Sequence, residues 1–149
     1  MAFVCTAGDF PPEVINGELV IPIGYDDQNP LSYSVLMGFS PTGGGESEFY
    51  WVIVQTNTAE DTETPFWSGL DTKGIFSQED RILIRIAVQD AIAVLLGHTK
   101  PQRIFCCTHD SDLPQKALLI AAIFKMCGYE VLRQQLQLGK HSWWMELPK

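Results

Sequence analysis

Residues 103–115, RIFCCTHDSDLPQ, gather the residue types that do chemistry: two adjacent thiols (Cys106, Cys107), an imidazole (His109), two carboxylates (Asp110, Asp112) and two hydroxyls (Thr108, Ser111). Types and spacing allow four readings. In the first, an apolar strand runs from Arg103 to Cys107 and hands over to a helix. Asp112 or Ser111 then caps that helix by accepting from its free N–H groups, and Pro114 sits in the first turn, where a missing N–H costs nothing. In the second, Cys107 is a nucleophile. A helix N-terminus lowers a thiol pKa and His109 is close in sequence, but Asp110 and Asp112 oppose thiolate formation. An anion-cradling Cys loop would also want an Arg about six residues on, and Leu113 stands there. In the third, Cys107, His109 and Asp112 hold zinc, with a fourth ligand from Cys5, His98 or His141, although the spacing follows no zinc pattern. In the fourth, Asp110 and Asp112 join Asp26 and Asp27 in a carboxylate cluster for Mg²⁺ or Mn²⁺. The cap and buried strand account for the most residues.

The elements that must position these groups are legible from pattern. Glu18–Tyr25 is apolar enough for a strand, with Pro22 marking an edge or a bulge. Ser32–Ser40 alternates around Tyr33, Val35, Met37 and Phe39, and Glu48–Thr56 is aromatic and β-branched. Between these two, PTGGGES reads as a hairpin loop. It is no phosphate loop, because Glu46 and a strand follow where Gly-Lys-Ser/Thr and a helix would be needed. Residues 57–76 lack periodicity and form a long acidic and aromatic loop with Glu60, Asp61, Glu63, Phe66, Trp67 and Asp71. Ser77 and Asp80 predict a capped helix from Gln78 to Leu96, ended by Gly97 and apolar enough to be heavily buried.

The strand at 103–107 follows, then a second apolar helix ending at Gly128, a strand from Tyr129, a turn at LGK and a last strand from His141. The expected fold is α+β, one domain over 1–149 in the order βββαβαββ: an antiparallel meander, one parallel βαβ crossover and a C-terminal hairpin, with two strongly apolar helices. Adjacent residues in a strand face opposite sides, so Cys106/Cys107 and Trp143/Trp144 must each split between the two faces of the sheet.

Charge narrows the function classes. The chain carries a formal net charge of −8. Residues 1–77 hold eleven acids against one base, Lys73, whereas the remainder holds seven acids against nine bases. That distribution makes nucleic acid an unsuitable partner, since phosphate binding needs a basic footprint. It suits a protein partner with a basic surface, met by Glu60, Asp61, Glu63, Phe66 and Trp67. The four cysteines have no framework spacing and are expected as free thiols. No basic leader or apolar run of about 18 residues is evident, so the expectation is cytoplasmic, without membrane contact. A homodimer is compatible with the sequence.

Two topological resemblances follow. Three antiparallel strands ahead of helix, strand and helix resemble the ribonuclease H fold, with THDSD as the local match. The resemblance implies two metal ions held by acids of the first strand, the first helix and the fourth strand. That family's helix acid lies within the helix, where this chain offers Glu79 and Asp80 in the first turn, and Asp90. From the second strand onward the chain is also similar to the C-terminal half of GNAT-type N-acyltransferases, whose end GYEV and the closing MEL strand resemble. That likeness implies an acyl-CoA donor bound by a Gly-rich turn. Here TKGIFSQED has the single Gly74 and is acidic, and the family's first two helices are absent. The leading expectation is a non-enzymatic protein, without cofactor, whose acidic half binds a protein partner. The alternatives are a Mg/Mn-dependent hydrolase or nuclease using Asp110 and Asp112, and an N-acyltransferase-like fold without an evident pyrophosphate loop.

Overall fold

The computed structural model describes residues 3–66, 72, 74–109, 114–137 and 140–148. They form nine strands and two helices: β1 Phe3–Cys5, β2 Glu13–Ile15, β3 Glu18–Asp26, β4 Leu31–Gly43, β5 Glu46–Asn57, β6 Thr62–Phe66, α1 Gln78–Thr99, β7 Arg103–His109, α2 Pro114–Met126, β8 Glu130–Gln137 and β9 Lys140–Glu146. All strands join one mixed sheet in the order β1-β3-β4-β5-β7-β9-β8, with β2 on β3 and β6 on β5. The expected α+β class holds. The adjacent parallel pair is β5 with β7. The strand expected to pair with β7 across the α2 crossover, β8, lies one place further out, because β9 inserts between them.

Local chemistry explains the meander. β4 and β5 pair from Leu31↔Asn57 to Gly43↔Glu46, and the turn uses Gly44 at φ 61° and Gly45 at φ 80°. Two consecutive positive φ values are what a two-residue hairpin matched to strand twist requires, and glycine adopts them without strain. Pro22 sits at a register shift of β3 against β4, the expected bulge.

Three strands escape the sequence reading, and β6 corrects it most. Residues 62–66 of the anticipated loop pair with β5 from Asn57↔Thr62 to Ile53↔Phe66. The turn between them is built by Asn57, whose Oδ1 accepts from the backbone N–H of Ala59 and of Glu60, each at 3.1 Å.

Both helices contribute to one core, on one face of the sheet. Leu19, Ile21 and Ile23 of β3, Val35 and Met37 of β4, Ala91, Ile92 and Leu95 of α1, Phe124 of α2 and Trp143 and Met145 of β9 pack there. The capping box of α1 is present: Ser77 Oγ accepts from the Asp80 N–H at 3.1 Å and Asp80 Oδ2 from the Ser77 N–H at 3.0 Å. Gly97 does not end α1, which continues to Thr99 and stops at Lys100 in the left-handed region, φ 41°. Heavy burial on all sides does not hold either: Ile82, Leu83 and Ile86 are about half exposed. In length and hydropathy α1 would suffice to cross a membrane, although its other face is buried in the core.

Candidate active site at a parted pair of strands

β5 and β7 begin side by side and then separate. Their pairing covers Glu46↔Arg103, Ser47↔Ile104 and Glu48↔Phe105. Beyond Phe105, β7 keeps pairing with β9 as far as His109, while β5 takes β6 as its partner from Ile53. A parallel sheet therefore splits at the level of Phe49–Val52 of β5 and Cys106–His109 of β7. Open α/β sheets bind ligands beyond the carboxyl ends of strands, where neighbours diverge.

The residues at the fork follow from strand alternation. Phe49 points into the helix-covered core and Glu48 and Tyr50 to the opposite face; likewise Cys106 is buried and Cys107 faces the other way. The Cys107 thiol donates weakly to Glu48 Oε1, with sulfur and oxygen 4.0 Å apart. Tyr50 lies across β4 and its hydroxyl donates to Glu18 Oε2 at 2.6 Å. Gly38 makes the room, since a Cβ there would stand 2.4 Å from the Tyr50 oxygen. Partial burial, and the Glu18 carboxylate that accepts the proton, push the Tyr50 phenol up to about 12. The fork thus presents a carboxylate and a thiol on the sheet face opposite the helices, while the Tyr50 phenol turns away over β4 toward Glu18 of β3. Sequence reading flagged Cys107 but missed Glu48, which lies far away in the chain and reads as a hairpin flank.

Of the acids in the alternative metal reading, Asp26 closes β3 and is engaged in the turn that follows it. Asp26 Oδ1 accepts from the backbone N–H groups of Gln28 at 2.8 Å and Asn29 at 3.0 Å. Those bonds hold its carboxyl below the usual carboxylate range while closing the β3–β4 turn. β4 and β5 stand between β3 and β7. Among the described residues no group of three or more His, Cys, Asp and Glu is placed to hold a metal. Asp110 and Asp112 lie outside the described residues, so the Asp112 cap does too.

The acidic segment is likewise rearranged. Glu60, Asp61 and Glu63 are exposed around the β5–β6 turn, Asp61 at φ 56°. Phe66 packs against the core beside Ile53, and Trp67 lies outside the described residues. All four cysteines are free thiols.

A helix N-terminus that receives a pyrophosphate needs unspent N–H groups. The capping box occupies the Asp80 N–H, and the carboxylates of Glu79 and Asp80 in the first turn oppose the charge of a pyrophosphate there.

No protein-family model and no curated protein matches the chain. Solved structures that it resembles include a mutant of the spermidine N-acetyltransferase SpeG from Vibrio cholerae and a chimera of that enzyme with hSSAT. Each is 12% identical with a TM-score of 0.39; 89% of this chain is covered, with 66% and 68% of the respective enzyme chains. The chain thus spans about two-thirds of the length of these structures. The structures found are acetyltransferases, not the non-enzymatic partner-binding proteins of the leading expectation. A likeness this distant assigns no activity, which must rest on the geometry of the chain itself.

Proposed function

We propose that this chain is an acyl-group transferase that moves an acyl group from a thioester to an amine at the fork between β5 and β7. The observation that carries the proposal is the fork itself: adjacent parallel strands pair over three residues and then part. An extended, amide-bearing arm such as that of an acyl-pantetheine fits between parted strands, because its amides have the hydrogen-bonding character of a strand. In the transfer, the amine nitrogen forms a bond to the acyl carbon, the carbon–sulfur bond breaks, and the thiolate leaves to be protonated. The amine must first lose a proton. Glu48, at the last paired position, is the carboxylate placed to draw a cationic amine in and to pass that proton to water. Tyr50 takes no part in the transfer, because its hydroxyl lies over β4 on Glu18 of β3, away from β7.

The capping box at α1 sharpens the donor class: an acyl-pantetheine without the nucleotide should serve as well as its CoA form. Thiol release from acetyl-pantetheine and from acetyl-CoA, measured with a panel of primary amines, tests the reading. Comparable turnover of both donors is the expected outcome, with loss of about a hundredfold in Glu48→Gln, within the range for a positioned acid–base group. No thiol release above background from either donor with any amine would overturn it.

A further inference from the structure

At the other ends of β5 and β7, where they are still paired, the open sheet face carries a concavity of about 270 Å³ lined by Glu46, Arg103, Leu132, Arg133, Trp144 and Met145. Nothing in the acyl-transfer reading uses it. Two of its walls are guanidinium groups, and both are held. The Arg133 guanidinium carbon stands 3.8 Å from the centre of the Trp144 ring, and Trp144 packs in turn on Phe105 at 5.0 Å between centroids, tilted by 38°. Arg103 donates to the Gly44 carbonyl of the β4–β5 turn. A guanidinium fixed on an aromatic platform or a turn loses little freedom when it forks onto an oxyanion. The one carboxylate in the lining, Glu46, already accepts from the Thr42 hydroxyl at 3.1 Å. Leu132, 56% exposed, forms an apolar rim beside the Trp144 ring, and the Met145 side chain turns away into the core. The volume lies below the range of about 300–1,000 Å³ that holds drug-sized ligands, so it suits a small one.

We propose that this concavity binds a small organic anion, its oxyanion forked between Arg103 and Arg133 and its apolar body against Leu132 and the Trp144 ring. The site is independent of the fork between β5 and β7, and its failure would leave the acyl-transfer reading untouched. Calorimetric titration of the whole chain with benzoate, phenyl phosphate and uncharged benzamide tests it. At least one of the two anions should bind about tenfold or more tighter than benzamide, the effect of one charge-assisted hydrogen bond. A preference for benzoate identifies a carboxylate ligand, and one for phenyl phosphate a phosphate ester. Arg103→Gln and Arg133→Gln should each weaken the preferred anion about tenfold, and Arg133→Lys should recover only part of the loss because an ammonium lacks the fork. Should a variant fold poorly, the wild type still decides: its anion affinity must fall as salt rises, whereas that for benzamide must not. Anion binding no tighter than benzamide, or unchanged in both well-folded glutamine variants, would overturn the proposal.

Discussion

The two faces of the sheet are built from the same strands and do different work. The face under the helices holds Ile104, Cys106, Trp143 and Met145 from β7 and β9, all buried. The opposite face takes the residues in between: Phe105, Cys107 and Trp144, with Glu48, Tyr50 and Arg133 from neighbouring strands. Adjacent identical residues therefore have different fates. Cys106 is a small core hydrophobe and Cys107 a thiol beside a carboxylate; Trp143 fills the core and Trp144 carries an arginine. Alternation with a period of two lets one strand serve stability on one side and chemistry on the other. A change on the helix side should cost folding free energy, and a change on the other side should cost function at little expense in stability.

The tryptophan pair gives the largest expected contrast. Trp143→Ala should destabilise the protein by about 3–5 kcal/mol, the cost of emptying a large buried site. Trp144→Ala should cost about 1 kcal/mol through the lost arginine and ring contacts. Urea melts of both variants check this, and equal losses would break the distinction between the faces.

Next in size is the cap that keeps the α1 N-terminus closed to anions. Ser77→Ala should cost about 1 kcal/mol in the same melts. An unchanged midpoint would mean that the Ser77 hydroxyl does not hold the helix end.

The tyrosines provide a pH test. The phenols of Tyr50 and Tyr129 are both pushed up to about 12 from 10.0, Tyr129 chiefly by burial. A phenol whose folded pKa is raised stays protonated longer when folded, so its contribution is complete below pH 10 and is lost as pH climbs toward 12. Ultraviolet titration should show two late phenolate steps, and Tyr50→Phe should remove one and soften the alkaline loss of stability. Two late steps surviving in that variant would detach Tyr50 from Glu18.

The smallest effect is chemical. In the folded protein, alkylation should reach partly exposed Cys107 well before Cys106, which is 3% exposed. Peptide mapping after short labelling reads the order, and simultaneous labelling would contradict the assignment of faces.

What the sequence disclosed was local chemistry. The glycine turn between β4 and β5, the bulge at Pro22, the Ser77–Asp80 cap and the split of the Cys and Trp pairs depend on neighbours within a few residues. β6 stayed hidden because TETPF has a proline and two polar threonines around a glutamate; its pairing is imposed by β5 rather than by its own propensity. β1 and β2 are three residues each, too short for a period to appear. Gly97 was misleading because glycine inside a helix costs only about 1 kcal/mol, which the packed Leu95 and Leu96 beside it outweigh. The fork was illegible for a deeper reason. Strand order is a long-range property, and Glu48 meets Phe105 and Cys107 only because β7 docks beside β5.

The central claim is that the parting of β5 and β7 receives an acyl-thioester arm. Backbone amide NMR of the whole chain titrated with acetyl-pantetheine tests it most directly. The account predicts shifts concentrated on Phe49–Val52 and Cys106–His109, saturating together, with β1 and β2 unmoved. Saturable shifts elsewhere that spare both stretches, or none at all, would contradict it.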